Sequence, residues 1–481
     1  MQALKTLNIR RTVTAIFLML LSGATIAQNL DRRPNIVFIM ADDLGYGDLG
    51  VYGQKKIETK RIDSLARQGM KFTNFYAGTS VCAPSRSSLM TGQHTGHTYI
   101  RGNKEIEPEG QQPLADSVQT IAMLLQKAGY VTGAFGKWGL GMVNTSGAPD
   151  QKGFDEFYGY NCQRQSHRYY PTHLWHNNQR IELEGNGLMA KGQYAPALIQ
   201  ERTLAFIDAN KDKHFFLFVP TVLPHAELSG PEDAFYQQYA TKFEEKVHRG
   251  NDYGLKATVA GYASVDKPRA MYASMVSRMD AYVGQIIDKL KQHQLLDNTI
   301  IIFTSDNGSH KEGGADPNFF NSSGGLRGNK RDLYEGGIKT PFIAYWPGKI
   351  AEGKTSTYLG AFWDIMPTLV ELAQAEQPHY TDGISFAPTL LGNNKQQKHH
   401  DYLYWEFHED GGRQAVRKGD WKLILQKVIS GSPVEELYNL RRDPKEQTNV
   451  AQDNPKKVRE LRILIEQAHV ETPIFPLTSK K

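Results

Sequence analysis

The chain has 481 residues, 40% hydrophobic and 22% charged, an ordinary balance for a globular protein built as one large domain plus something smaller. Its formal net charge of +5 is mild, and the absence of any block of like charges excludes a nucleic-acid footprint, leaving only a bias toward acidic ligands.

In chain order, Lys5, Arg10 and Arg11 come first, followed by "TAIFLMLLSGA", an apolar run too short to span a bilayer. Small residues in "ATIAQ" then suit cleavage after Ala27, so residues 1–27 are expected to be a signal peptide and the protein exported, periplasmic or secreted. No later stretch is apolar enough to cross a membrane. "NIVFIMADD" reads as a buried parallel strand delivering carboxylates at its end. "TKRIDSLARQG" reads as a helix with Ile62, Leu65 and Ala66 on one face, and "KFTNFYA" as the next strand. "TIAMLLQKAGYVTGAFGKW" repeats the pattern, a helix stopped at Gly129 and a strand from Tyr130 to Phe135. "HFFLFVP", "TIIIFTSDNG" and "TPFIAYWPG" are three more strands, the second preceded by a long helix from about Ala270 to Gln292. This alternation predicts an α/β sandwich around a largely parallel sheet over residues 28–395, whose ligands gather at the carboxyl ends of the strands. From residue 396 to 481 the character changes. "DYLYWEF" and "QAVRKGDWKLIL" predict antiparallel strands, and "DNPKKVRELRILIEQA" predicts a helix, together a smaller C-terminal α+β domain.

Asp42 and Asp43 in "ADD", with Asp306 and Asn307 in "SDNG", place oxygen donors just past two hydrophobic strands. Three converging carboxylates repel unless a cation sits among them, and an all-oxygen set suits Ca²⁺ or Mg²⁺ rather than zinc. The same residue types also serve as turn and cap residues. In "CAPSRSSLMTG", Pro84 fits the first turn of a helix, which puts Cys82 at its N-terminus and Arg86 one turn on. Such a cysteine is a nucleophile as a thiolate, or half of a disulfide with Cys162, the other cysteine of the chain.

Cys-X-Pro-Ser-Arg followed by Leu-X-Thr-Gly resembles the signature of the formylglycine-dependent sulfatases of the alkaline-phosphatase superfamily, and matching segments run in order from about residue 34 to 455. The resemblance implies an alkaline-phosphatase-like fold. It also implies that Cys82 is oxidised by a maturation enzyme to formylglycine, an aldehyde that hydrates to a geminal diol. One hydroxyl attacks sulfur, and the other expels sulfate by re-forming the aldehyde. The family's metal, Ca²⁺ in preference to Mg²⁺, is implied at Asp42, Asp43, Asp306 and Asn307, with the Cys82-derived group beside it. Arg86 is implied to stabilise charge on the sulfuryl group, as are Lys137 in "GKWGLG" and Lys330 in "GGLRGNKRDLYEGG", and His225 in "LPHAEL" to protonate the departing oxygen.

The sequence departs from the family at one place. Where the family reads Gly-Lys-Trp-His, with a histidine that the resemblance implies helps deprotonate the diol during release, this chain has Gly139; either another base serves, with His94, His97 and His310 as candidates by their proximity to motifs, or metal-bound geometry and solvent suffice. The stretch 161–180, rich in aromatics, His and Arg, resembles segments of bacterial sulfatases acting on galactose-type sulfated glycans. It offers His167 and Arg168, beside Lys137 and Lys330, as substrate-binding residues. The expected activity is therefore hydrolysis of an O-sulfate on a galactose or N-acetylgalactosamine unit of a sulfated oligosaccharide or polysaccharide. A phosphoester or phosphonate hydrolase on the same fold, or a sulfated-glycan-binding protein without catalysis, are the alternatives.

Overall fold

A computed structural model describes residues 33–107, 109–187, 190–250 and 262–477; the expected signal peptide over 1–27 lies outside the described residues. The main sheet has ten strands, in chain order β1 (Asn35–Ala41), β2 (Met70–Phe72), β3 (Val131–Lys137), β4 (Glu156–Tyr160), β5 (His173–His176), β6 (Gln179–Glu182), β7 (Phe215–Pro220), β8 (Thr299–Ser305), β9 (Phe342–Tyr345) and β10 (Lys354–Ser356). Their spatial order is β10-β2-β9-β8-β1-β7-β3-β4-β5-β6. The central five, β8, β1, β7, β3 and β4, are all parallel, while β9, β5 and β6 join antiparallel toward the edges.

The expected α/β sandwich with a mostly parallel sheet is thus the architecture observed. β1 is buried along its whole length, and its side chains alternate between two cores. Val37 and Ile39 pack with residues of the long helix Pro268–Gln292, whereas Ile36, Phe38 and Met40 pack with Leu89, Met90 and the helix Ile365–Leu372. A strand with helices on both faces has no solvent side, which is why its sequence is continuously apolar. "KFTNFYA" is the one run read as a single strand that divides. Met70–Phe72 joins the main sheet, Thr73 and Asn74 turn to bond the 356–360 segment, and Phe75–Tyr76 pairs with Gly360–Ala361.

Beyond the sandwich, strands Leu403–Phe407, Arg413–Lys418, Trp421–Gln426 and Val434–Asn439 form an antiparallel sheet in sequence order. Helix Pro455–Ala468 covers one face through Val458, Leu461 and Ile465. The opposite face, with Trp405, Phe407, Ala415 and Ile424, packs on Tyr76, Val81, Leu333 and Ile338 of the large layer. A buried ion cluster joins the two: Lys422 Nζ lies 3.0 Å from Glu335 Oε1 and 2.9 Å from Glu446 Oε1.

Two carboxylates share one ammonium there, so they titrate apart. Burial works to raise Glu335, but Lys422, Lys339 and Arg417 bring it down to about 2. Burial pushes Glu446 up to about 7, with Lys422 opposing. A carboxyl that keeps its proton more tightly when folded stabilises the fold below its ordinary value of 4.5, and that contribution is lost as the pH rises through about 7. Glu446→Gln is expected to flatten the decline in denaturation midpoint between these limits. Lys422→Met, which takes away the ammonium shared by Glu335 and Glu446, is expected to cost about 3–5 kcal/mol; urea unfolding at several pH values checks both.

Candidate active site

The five parallel strands end on the same edge, and four of them hand polar groups to it. Asp42 and Asp43 follow β1, Asp306 and Asn307 follow β8, Lys137 closes β3, and His225 lies five residues beyond β7. Register fixes the first contacts. Ala41 pairs with Ser305, so Asp306 N bonds Ala41 O at 3.0 Å and Asp43 N bonds Asp306 Oδ1 at 3.0 Å. Asp43 takes a left-handed backbone (φ 61°), a conformation Asp tolerates better than most residues.

Cys82 opens the helix Cys82–Thr91 as expected, with Val81 extended before it. The helix is pinned to the metal-strand ends by its own first turns. Ser85 Oγ donates to Asp306 O at 2.5 Å, and Arg86 donates from Nε and Nη2 to Asp306 Oδ2 at 3.1 and 2.8 Å. Arg86 also bonds Lys137 O and lies 3.7 Å from Asp42 Oδ1. The Cys82 thiol is thereby held 3.4 Å from Asp42 Oδ1 and 3.9 Å from Asp43 Oδ1. Burial and the Asp42 and Asp306 charges push this thiol well up from its ordinary range despite Lys137, so an unmodified Cys82 stays protonated and poorly nucleophilic in this arrangement. Cys82 and Cys162 are both free and buried, so the disulfide alternative is not formed, and burial lifts the Cys162 thiol to about 12.

The two lysines come from different places. Lys137 Nζ lies 2.7 Å from Asp42 Oδ2. Lys330 arrives on a loop stitched down by Lys330 N to Ser309 O (2.8 Å) and Arg331 N to Ser80 O (2.9 Å), and its Nζ reaches Asp43 Oδ2 at 2.9 Å. Gly308 permits this approach: its N bonds Gly337 O at 2.9 Å, and a Cβ there would lie 2.0 Å from Gly336 O. Lys330 also sits 3.0 Å from His225 Nε2 and 3.3 Å from Glu312 Oε2. Burial, then Lys330, hold His225 well below the usual histidine range, so it is neutral here.

All eleven residues singled out in the sequence fall in this neighbourhood, though not in equal measure. Asp42, Asp43, Cys82, Arg86, Lys137, His225, Asp306, Asn307 and Lys330 form one connected set of contacts. His167 stacks on His225 with ring centroids 4.7 Å apart, while Arg168 pairs with Glu227 at 3.4 Å and lines an adjacent cavity of ≈ 630 Å³. His310 stacks behind His225 at 5.7 Å. His94 and His97 instead contact Asp382, Tyr380, Trp363 and Tyr404, outside this set. Sequence reasoning passed over Glu312, which accepts from Lys330, Arg331 and the Tyr262 hydroxyl. Its only sequence signal is its place six residues after Asp306.

The residues present fit a hard divalent cation. Asn307 gives both amide hydrogens away, to Asp43 Oδ1 (2.7 Å) and Gly308 O (2.9 Å), which leaves its Oδ1 buried without a partner beside three carboxylates. A lone oxygen acceptor among anions is a site for positive charge, and an amide with carboxylates is the donor set of Ca²⁺ or Mg²⁺. The acids are already divided for it. Burial opposes ionisation of Asp42, but Lys137 and Arg86 keep it well below the carboxylate range, whereas burial and Asp42 push Asp306 up to about 7. A proton on Asp306 must leave when a cation binds. Calcium affinity, followed by titration calorimetry, is therefore expected to weaken as the pH falls through about 7, with proton release on binding. An affinity independent of pH would contradict this charge arrangement.

Residues 34–375 match the family model described as Sulfatase, and residues 327–470 match that of the N-sulphoglucosamine sulphohydrolase C-terminal region. Human arylsulfatase A is 33% identical over 438 residues, covering 85% of this chain and 77% of that protein. An N-acetylgalactosamine-6-O-sulfatase of Bacteroides thetaiotaomicron is 29% identical over 499 residues, covering 90% and 93%. The structure of Ps i-CgsB superposes with a TM-score of 0.74 at 27% identity, covering 91% and 93%, and that protein has also been solved with k-i-k-neocarrahexaose. Asp42, Asp43, Cys82 and His225 bring their ligand atoms within 4.8 Å of one another, the cluster of the family's calcium-binding, formylglycine-forming active site. The chain belongs to the formylglycine-dependent sulfatases of the alkaline-phosphatase superfamily and is a sulfuric ester hydrolase.

Proposed function

We propose that this sulfatase is exported and removes an O-sulfate from a carbohydrate, a galactose- or N-acetylgalactosamine-type sugar of a sulfated glycan, after a formylglycine-generating enzyme has matured Cys82. The observation that carries the reading is the Cys82 side chain itself, buried at a helix N-terminus and held against Asp42 and Asp43 with Lys137 and Lys330 on either side. Two relatives support the carbohydrate class by what they are named for or bound to: N-acetylgalactosamine-6-O-sulfate in one, a neocarrahexaose in the other. Among the described residues no helix is long and apolar enough to cross a membrane.

Asp42, Asp43, Asp306 and Asn307 would hold the calcium ion, with the matured Cys82 beside them, and bound there it supplies Lewis acidity and fixed positive charge. Lys137 and Lys330 carry the remaining cationic charge toward the sulfate. Both are buried, so their attraction for an entering anion is weakly screened, and although burial disfavours their charge, Asp42 and Asp43 outweigh it. Arg86 acts through Asp306 and the Lys137 carbonyl, holding strand ends and helix in one geometry. His225 starts neutral because it is buried beside Lys330. A sulfate group that pairs with Lys330 relieves that repulsion, and Nε2 then holds a proton for the departing sugar oxygen. His167 braces the imidazole from one face, and Arg168 offers hydrogen bonds at the rim of the ≈ 630 Å³ cavity, lined also by Arg164, His173 and Arg180.

Incubation with 4- and 6-sulfated regioisomers of galactose and N-acetylgalactosamine, alongside matched aryl sulfate and aryl phosphate, tests the reading. Sulfate release from one regioisomer and a preference for aryl sulfate are expected. Preference for phosphate, or binding of sulfated sugars by the matured protein without release, would overturn it. His225→Ala is expected to lower kcat/KM on the sugar sulfate by about 10²–10⁴-fold, the usual worth of a general acid. The loss should be much smaller on a nitrophenyl sulfate, whose leaving oxygen needs no proton.

A further inference from the structure

β4 runs on past Tyr160 beside the residues that follow Lys137. Trp138 N bonds Tyr160 O at 2.9 Å, and Gly139 N bonds Asn161 O at 3.0 Å. Gly139 is left-handed (φ +77°), and a Cβ built on it would lie 1.8 Å from Gln163 Nε2. The Gln163 carboxamide therefore fills the space a side chain at 139 would take, two residues from the lysine that reaches Asp42. Asn161 is fully buried and Gln163 is 3% exposed. Among the described residues, the amide nitrogen and oxygen of both side chains have no hydrogen-bond partner.

Leaving a buried polar atom unpaired costs about 1–3 kcal/mol, and here four such atoms belong to two residues in the segment that follows β4 at the carboxyl edge of the sheet. The ionic groups of the site are by contrast already paired with one another, Lys137 with Asp42, Lys330 with Asp43 and Arg86 with Asp306. What the amides await must be both a hydrogen-bond donor and an acceptor. The matured nucleophile and its sulfate offer that combination: a hydroxyl to donate and sulfate oxygens to accept.

We infer that Asn161 and Gln163 form an uncharged amide pair that binds the sulfated nucleophile during its breakdown. Gln163 Oε1 accepts from the hydroxyl that did not attack sulfur, and the amide hydrogens bind a sulfate oxygen. In that step the hydroxyl O–H bond breaks, its electron pair forms the aldehyde C=O, and the C–O bond to sulfate breaks with its pair leaving on sulfate. An amide cannot take up the proton near neutral pH, so the proton passes to water, the co-substrate of the hydrolysis. Asn161 and Gln163 orient this step and do not act as its base.

The inference rests on the sulfuric-ester reaction, which turnover of an aryl sulfate by the wild type reports separately. With matured protein, Gln163→Ala is expected to lower steady-state kcat on aryl sulfate by at least about tenfold, the worth of one hydrogen bond to a reacting group. KM is expected to fall or stay level, because release is slowed after the ester has been cleaved. The first turnover should still release a full equivalent of phenol, and the Cys82 peptide should be found carrying sulfate. A folded Gln163→Ala protein with unchanged kcat and no sulfated peptide would overturn the inference. Gln163→Glu keeps the volume and serves should the alanine variant fail to fold. It replaces an amide donor with an anion, and inorganic sulfate is expected to inhibit it at least about tenfold more weakly than the wild type. Equal inhibition would also overturn the inference.

Discussion

The constraint on which this molecule turns is the burial of three carboxylates at the ends of two neighbouring strands. Each buried ion carries a penalty of several kcal/mol, and like charges at these separations repel, so the arrangement exists only because cations are brought to it. Arg86 comes from a helix, Lys137 from a strand end and Lys330 from a loop, and each meets a different aspartate. The protein meets this electrostatic demand with its own cations, so that charge alternates across the site.

The rest of the fold holds this alternation still. Parallel register sets Asp42 beside Asp306, and the alternating burial of β1 in two cores fixes that register, since a slip of one residue would exchange the two faces. The Cys82 helix is tied to the strand ends by Ser85 and Arg86. Its approach is backed by the C-terminal antiparallel sheet, whose inner face packs on Val81, Leu333 and Ile338. The small sheet thus presses on the residues flanking both the nucleophile and Lys330, and the Glu335–Lys422–Glu446 cluster locks that pressure in.

Much of this was legible in the sequence, because the informative features are local. Continuous apolar runs marked the central strands, and the residues just past them marked the edge where chemistry gathers. The Cys-X-Pro-Ser-Arg motif carried both the helix start and the family. What stayed hidden was long-range. Arg86 was expected to stabilise charge on the sulfuryl group, and no local pattern announced that it also donates to Asp306, 220 residues away. Glu312 has no motif of its own and is placed by a loop. The division of "KFTNFYA" depends on partners near residues 356–360 that no local pattern announces. The departure at Gly139 was visible as a missing histidine, yet the carboxamide that fills its space comes from the turn after β4 and could be found only in three dimensions.

The chemistry of this site depends on the chemical state of Cys82. Its environment disfavours a thiolate and collects the groups that a formylglycine diol and a sulfate ester would use. The mass of the peptide from Phe72 to Arg86, taken from protein made in its native host and probed with a hydrazide, tests this directly. A mass lowered by conversion of the thiol to an aldehyde, together with hydrazide reactivity, is the predicted result. An unmodified thiol in active, native-host protein would contradict the account.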